Sequence, residues 1–208
     1  MLELINVSKK FGNRKIIDEV NLKINSKDII GVLGANGAGK SVLLKTISGF
    51  LKPDNGKIIS YDDIGISIQD NSLYESLSVY QNLSYFADIY KVKDKKTTIQ
   101  NISNRLGISS ILNSNVGNLS GGTKKKVDIA CSLINGPRVL ILDEPFTGLD
   151  KNFVNELINL LKEINSYGVS LIISTHIFPQ IKDICNRFIL VKDSVVSEIS
   201  KYQATEMF

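Results

Sequence analysis

Residues Gly34-Ala35-Asn36-Gly37-Ala38-Gly39-Lys40-Ser41 constrain this chain more than any other stretch. They follow an apolar run (Ile29, Ile30, Val32, Leu33) and lead into a segment of helical spacing (Leu43, Leu44, Ile47) that stops near Gly49. A strand, a loop of spacing G-x-x-x-x-G-K-[ST] and a helix, in that order, make the phosphate-binding pattern in the context it requires. Glycines let the backbone curl with its N–H groups inward, and the following helix N-terminus adds partial positive charge. In such a cradle Lys40 brings a point charge to the β- and γ-phosphates, and the Ser41 hydroxyl is an oxygen ligand for Mg²⁺. The alternative is a glycine-rich turn that binds nothing, which requires the spacing, the lysine and both flanks to coincide by accident.

The 208 residues make one domain with a possible lobe, and 43% apolar with 22% charged residues reads as globular. No apolar run is long enough to cross a bilayer, and Leu2 to Val7 alternates as a strand does rather than forming a leader. The expectation is a soluble, cytoplasmic chain, reaching a membrane only through a partner. Cys131 and Cys185 lie far apart without metal-site spacing and read as reduced core residues. The net charge of +4 is mild, and the runs at Lys91 to Lys96 and Lys124 to Lys126 read as solvated faces, so no nucleic acid is expected as a partner.

Alternation at Leu2 to Val7 and at Val20, Leu22 and Ile24 marks half-buried strands. With Lys57 to Ser60 and Ile64 to Ile68 they are expected to form a small antiparallel sheet beside the loop. Leu83, Phe86, Ala87 and Tyr90, then Ile99, Ile102 and Leu106, repeat with helical spacing. Residues 71–135, helical from about Leu73 to Asn135, therefore read as a lobe inserted into an α/β core made of residues 1–70 and 136–208. Val139 to Leu142 is apolar without alternation, as in a parallel strand covered on both faces, and ends in Asp143-Glu144. A second buried strand runs from Val169 to Ser174, with His176 just beyond it. Strand and helix alternate as in a wound α/β sheet whose strand ends gather ligands at one edge.

Taken in order, the loop, Gln69 after a strand, Leu119-Ser120-Gly121-Gly122-Thr123, the strand ending at Glu144, Thr147-Gly148-Leu149-Asp150 and His176 resemble the ATP-binding cassette (ABC) family over nearly the whole length. The resemblance implies a P-loop NTPase core with a mostly parallel sheet, a small antiparallel β subdomain and an inserted α-helical subdomain. It also implies an ATPase subunit that drives a separate membrane-spanning pair. ATP and Mg²⁺ are the implied ligands, and a second cassette and transmembrane permease subunits the implied partners.

The family's residues map as follows. Gly34, Asn36, Gly37, Ala38, Gly39, Lys40, Ser41 and Val42 are expected around the phosphates, and Asp143, Ser41 and Gln69 around the metal. Glu144 is the expected general base, with Gln69 and His176 sensing the γ-phosphate. Ser120, Gly121 and Gly122 are expected to cap the γ-phosphate of a second copy, and Asp150 to line that interface. Phe11 is the expected adenine-stacking aromatic. On residues alone, Ser120-Gly121-Gly122 also reads as a plain serine N-cap, His176 as a structural histidine and Phe11 as an edge aromatic. Two positions depart from the pattern: Val42 replaces a common hydroxyl residue, and Thr123 replaces a glutamine ahead of Lys124-Lys125-Lys126. One of those lysines is expected either to face a partner's triphosphate or to be solvated. The wording Phe146-Thr147-Gly148-Leu149-Asp150 and the short carboxyl end favour a bacterial export cassette. The competing readings are a soluble cassette acting on ribosomes or nucleic acid, and a module that binds nucleotide without hydrolysing it.

Overall fold

The computed structural model describes residues 2–60, 62–68 and 73–208. In chain order the strands are β1 (Leu2–Phe11), β2 (Arg14–Ile24), β3 (Ile29–Leu33), β4 (Asn55–Ser60), β5 (Ile64–Ser67), β6 (Val139–Asp143), β7 (Ser170–Thr175), β8 (Arg187–Lys192) and β9 (Val195–Ile199). The helices are α1 (Lys40–Ile47), α2 (Val79–Ile89), α3 (Lys95–Arg105), α4 (Gly121–Ser132), α5 (Lys151–Ser166) and α6 (Lys201–Met207).

Two sheets form. The smaller is antiparallel in the order β2-β1-β4, and the larger runs β5-β6-β7-β3-β8-β9, parallel except where β9 turns back on β8. One sequence expectation fails here. Ile64 to Ser67 does not extend the antiparallel sheet but pairs parallel with β6, Ile64 opposite Val139 and Ser67 opposite Leu142. Alternation identifies a strand without naming its partner, and this partner lies far along the chain.

Strand β3 explains how the layers stack. Its side chains alternate, so Ile29 and Leu33 join one apolar cluster while Ile30 and Val32 join another on the opposite face. The first face is covered by α4, α5 and the buried sides of α2 and α3; the second is covered by α1 and the small sheet. The three helices between residues 73 and 135 therefore bury their apolar sides in the same cluster as Leu140, Leu171 and Ile173. Each fully buried leucine or isoleucine in these layers contributes about 1.5–3 kcal/mol of transfer free energy. Strands β6, β7 and β3 pair parallel as neighbours, so their carboxyl ends open side by side.

Candidate nucleotide site

The loop leaves β3 at Gly34 and enters α1 at Lys40. Gly37 and Gly39 take φ of +78° and +108°, a left-handed backbone that residues with a Cβ rarely adopt. At Gly37 there is open space, so conformation alone requires glycine; at Gly39 a Cβ would also lie 2.8 Å from Ile16 Cγ2. The N-cap of α1 is Gly39, with no side-chain cap, leaving the first N–H groups of the helix for a ligand. Ser41 and Val42 are half-buried in the first turn, while Asn36 is exposed at the tip.

Lys40 is buried, and its Nζ donates to Gly34 O at 2.8 Å and Ala35 O at 3.3 Å and lies 3.2 Å from Glu144 Oε1. Glu144 stands just past β6 with φ of +48°, an uncommon conformation for a non-glycine residue and one that clusters at functional sites. On its other side, His176 Nδ1 lies 3.2 and 3.1 Å from the two carboxylate oxygens. The Thr175 hydroxyl accepts from Ile177 N at 3.1 Å, a local turn that places His176 at the end of β7. Two residues distant in sequence, Lys40 and His176, thus converge on the Glu144 carboxylate.

Ser174 is a member of this group that the sequence reading missed. Its register opposite Asp143 puts its hydroxyl between the two acids. It donates to Asp143 Oδ1 at 2.5 Å and accepts from Glu144 N at 2.9 Å. In the sequence Ser174 shows only as the hydroxyl that ends the second buried strand; its place beside the acids needs the pairing of β7 with β6. Asp143 is 2% exposed, so its carboxylate is held in place with little solvent.

The donor set suits magnesium. Asp143 and Ser41 offer hard oxygen, and the described residues contain no cluster of three or more acidic, histidine or cysteine ligands. Magnesium takes one or two carboxylates and completes its shell with phosphate oxygens and water, whereas an all-protein cage suits other ions.

The second glycine-rich helix end is built differently. Ser120 caps α4; its Oγ accepts from Thr123 N at 3.3 Å and lies 2.8 Å from Thr123 Oγ1. Ser120 and Gly121 are exposed. A Cβ at Gly121 meets nothing within 4 Å, but one at Gly122 would lie 2.5 Å from the Phe153 ring, so Gly122 is required by packing against α5. No hydrogen bond or ion pair among the described residues ties Ser120 to Lys40, Glu144 or His176. Asp150, also exposed, caps α5 by accepting from Asn152 N and Phe153 N at 2.9 and 3.0 Å. Phe11 sits half-exposed at the end of β1 with Lys9 Nζ 5.7 Å from its ring centre. Gln69 lies outside the described residues.

The lysine run does not form one basic face. Lys124 pairs with Glu75 and Lys126 with Glu156, each at 2.6 Å, which offsets the cost of cations near a helix N-terminus. Lys125 is buried, its Nζ 3.6 Å from Asp128, and Asp128 accepts a short hydrogen bond from Ser67 of β5. Burial first, then the Asp128 charge, pushes the Cys131 thiol well up, and burial does the same to Cys185. Neither cysteine is a thiolate at neutral pH.

Comparison with known proteins agrees with this geometry. The ABC transporter family model matches residues 17–147. The methionine import ATP-binding protein of Clostridium acetobutylicum is 32% identical, over 95% of this chain and 68% of its own length. The lantibiotic transport ATP-binding protein of Streptococcus pyogenes is 31% identical, over 99% of this chain and 93% of its own. Among solved structures, cbiO1 of Clostridium perfringens, part of the ABC transporter complex cbiONQ, superposes with a TM-score of 0.87 at 30% identity over 99% of this chain and 90% of that one. A dimeric ATP-binding cassette in a post-hydrolysis state with ADP and Pi matches with a TM-score of 0.84 at 25% identity, over 97% of this chain and 99% of that one. With its phosphate loop, paired acids and histidine gathered at one sheet edge, the chain belongs to the ABC transporter family, as an ATP-binding and ATP-hydrolysing subunit.

Proposed function

We propose that this subunit hydrolyses ATP at sites shared between two cassettes and so drives export through transmembrane permease subunits, held peripherally on the inner face of the membrane. The observation that carries the reading is the convergence of Lys40 and His176 on Glu144. A triphosphate entering the loop competes for the Lys40 ammonium, because phosphate oxygens offer it more charge than two carbonyls. As Lys40 turns to the phosphates, the Glu144 carboxylate is released to accept a proton from the attacking water, and His176 hydrogen-bonds the γ-phosphate. Ser174 holds Asp143 and the Glu144 backbone in register throughout. Asp143, Ser41 and Gln69 would hold Mg²⁺, which supplies neutralisation of phosphate charge.

The open end at Ser120 supports the two-cassette reading, since Ser120 and Gly121 are exposed and no acidic side chain among the described residues bonds to their N–H groups. Asp150, exposed near the same helix ends, fits beside that interface. The permease is assigned to the surface around Tyr74, Tyr80 and Tyr85, all exposed, with the Tyr74 and Tyr85 hydroxyls 3.0 Å apart. No helix among the described residues is long and apolar enough to cross a membrane; the membership of the similar cbiO1 in a transporter complex, cbiONQ, supports a separate transmembrane partner. Identity does not choose a direction, as an import protein and a lantibiotic transport protein are equally similar; export rests on the Phe146 to Asp150 wording.

The test is the solution mass of Glu144→Gln with and without ATP and Mg²⁺. An ATP-dependent shift from monomer to dimer is expected. A monomer in both conditions, with ATP binding shown separately, sinks the pairing of identical cassettes. Inward movement of substrate in proteoliposomes carrying the cassette and its permease sinks export.

A further inference from the structure

Beside the loop lies a cavity of about 560 Å³ lined by Arg14, Ile16, residues 34–38, Leu190 to Ser194, and Met207 and Phe208 of α6 and its C-cap. None of Lys40, Ser41, Asp143, Glu144 or His176 lines it. We propose that Met207 and Phe208 form a wall for the nucleoside of the bound nucleotide, so that the end of α6 is a positioning element of the ATP site. The inference rests on the placement of the triphosphate given above.

Strand order supplies the direction. Glu144 and His176 follow β6 and β7, on one side of β3, whereas the cavity opens over β8, on the other side. A triphosphate with its γ end at Glu144 must carry its nucleoside away from β6 and β7, and the β8 side is where the loop meets open volume. That volume falls within the range of small-ligand sites. The helix is also held so that its end stays there. Ser200 and Gln203 form a capping box, with Gln203 N donating to Ser200 Oγ at 3.2 Å and Ser200 N to Gln203 Oε1 at 2.8 Å. Ala204 is fully buried in the core cluster, and Met207 and Phe208 sit three and four residues on, along the same face. The Phe208 ring, 42% exposed, presents an apolar surface suited to a base or ribose. Phe11, the aromatic expected from sequence to stack on adenine, does not line this cavity.

The experiment compares dissociation constants of full-chain variants for Mg-ATP and for Mg-tripolyphosphate, which has the phosphates without the nucleoside. Phe208→Ala is expected to weaken Mg-ATP about fivefold, the scale of one ring contact, while tripolyphosphate stays within about twofold. Phe208→Tyr should restore Mg-ATP binding, and Met207→Ala should show a smaller loss of the same selectivity. Equal losses for both ligands, unchanged ATP binding, or tighter ATP binding because the ring obstructs the site would each overturn the proposal. Lys40→Ala distinguishes the two layers: it should lose both ligands, and ATP binding retained there refutes the triphosphate placement itself, independently of Phe208.

Discussion

The ends of α1 and α4 are both glycine-rich helix N-termini, yet their own chain surrounds one and leaves the other open. At α1 the cap is a left-handed glycine with no side chain to spend, and Lys40, Glu144 and His176 close in from three strand ends. At α4 the cap is a serine whose hydroxyl is occupied by Thr123, and Ser120 and Gly121 face solvent. The same backbone chemistry thus lies in a walled cradle at one end and open to solvent at the other. Sequence motif alone does not separate these uses; what lies opposite the helix end does.

The sharpest way to break this contrast is Lys40→Ala. ATP turnover should fall by about 10³-fold, the scale of losing a charged transition-state donor. The same change leaves the Glu144 carboxylate buried beside His176 only, so the unfolding free energy from urea titration should drop by about 2 kcal/mol, less than a fully orphaned buried charge costs. Next is Ser120→Ala: steady-state turnover should fall about tenfold or more while the monomer's ATP dissociation constant holds, with about 1 kcal/mol of stability lost with the cap. If monomer affinity falls as turnover does, the two ends are not distinct in kind.

A pair of glycine changes sharpens the comparison within α4. Gly122→Ala forces a methyl against Phe153 and should cost about 1–3 kcal/mol in chemical denaturation. Gly121→Ala meets open space and should leave stability unchanged or raised by a few tenths of a kcal/mol, while slowing turnover that depends on protein concentration. The smallest effect is expected for Lys124→Gln, whose partly exposed pair with Glu75 contributes about 0–1 kcal/mol, with turnover and its salt dependence unaltered. A large salt-dependent loss there would assign Lys124 to a triphosphate instead.

The loop and the two acids were readable in the sequence because each depends on local spacing next to a strand whose burial shows in its composition; His176 was singled out only by the family resemblance, since on residues alone a histidine at a strand end reads as structural. The pairing of β5 was not, since the alternation of Ile64 and Ile66 is the same beside β4 as beside β6. Lys125 was hidden for a related reason. Three consecutive lysines look uniformly solvated, but a helix turns 100° per residue, and the middle one rotates inward toward Asp128 while its neighbours reach Glu75 and Glu156. Asp150 as a helix cap follows a rule that sequence could have supplied, and Ser174 required knowing which strands are neighbours.

Strand β5 and helix α4 touch where Gly65 meets the Ser132 carbonyl so closely that no methyl could fit. One residue on, Ser132 Oγ donates to Ile66 O, and a turn earlier in the helix Asp128 takes the Ser67 hydroxyl. These contacts step along both elements in opposite sequence directions, like teeth of two engaged racks, and leave no room for slippage. The helix that carries Ser120 at its exposed tip is thus fastened, through Asp128 and Ser132, to β5 from Gly65 to Ser67.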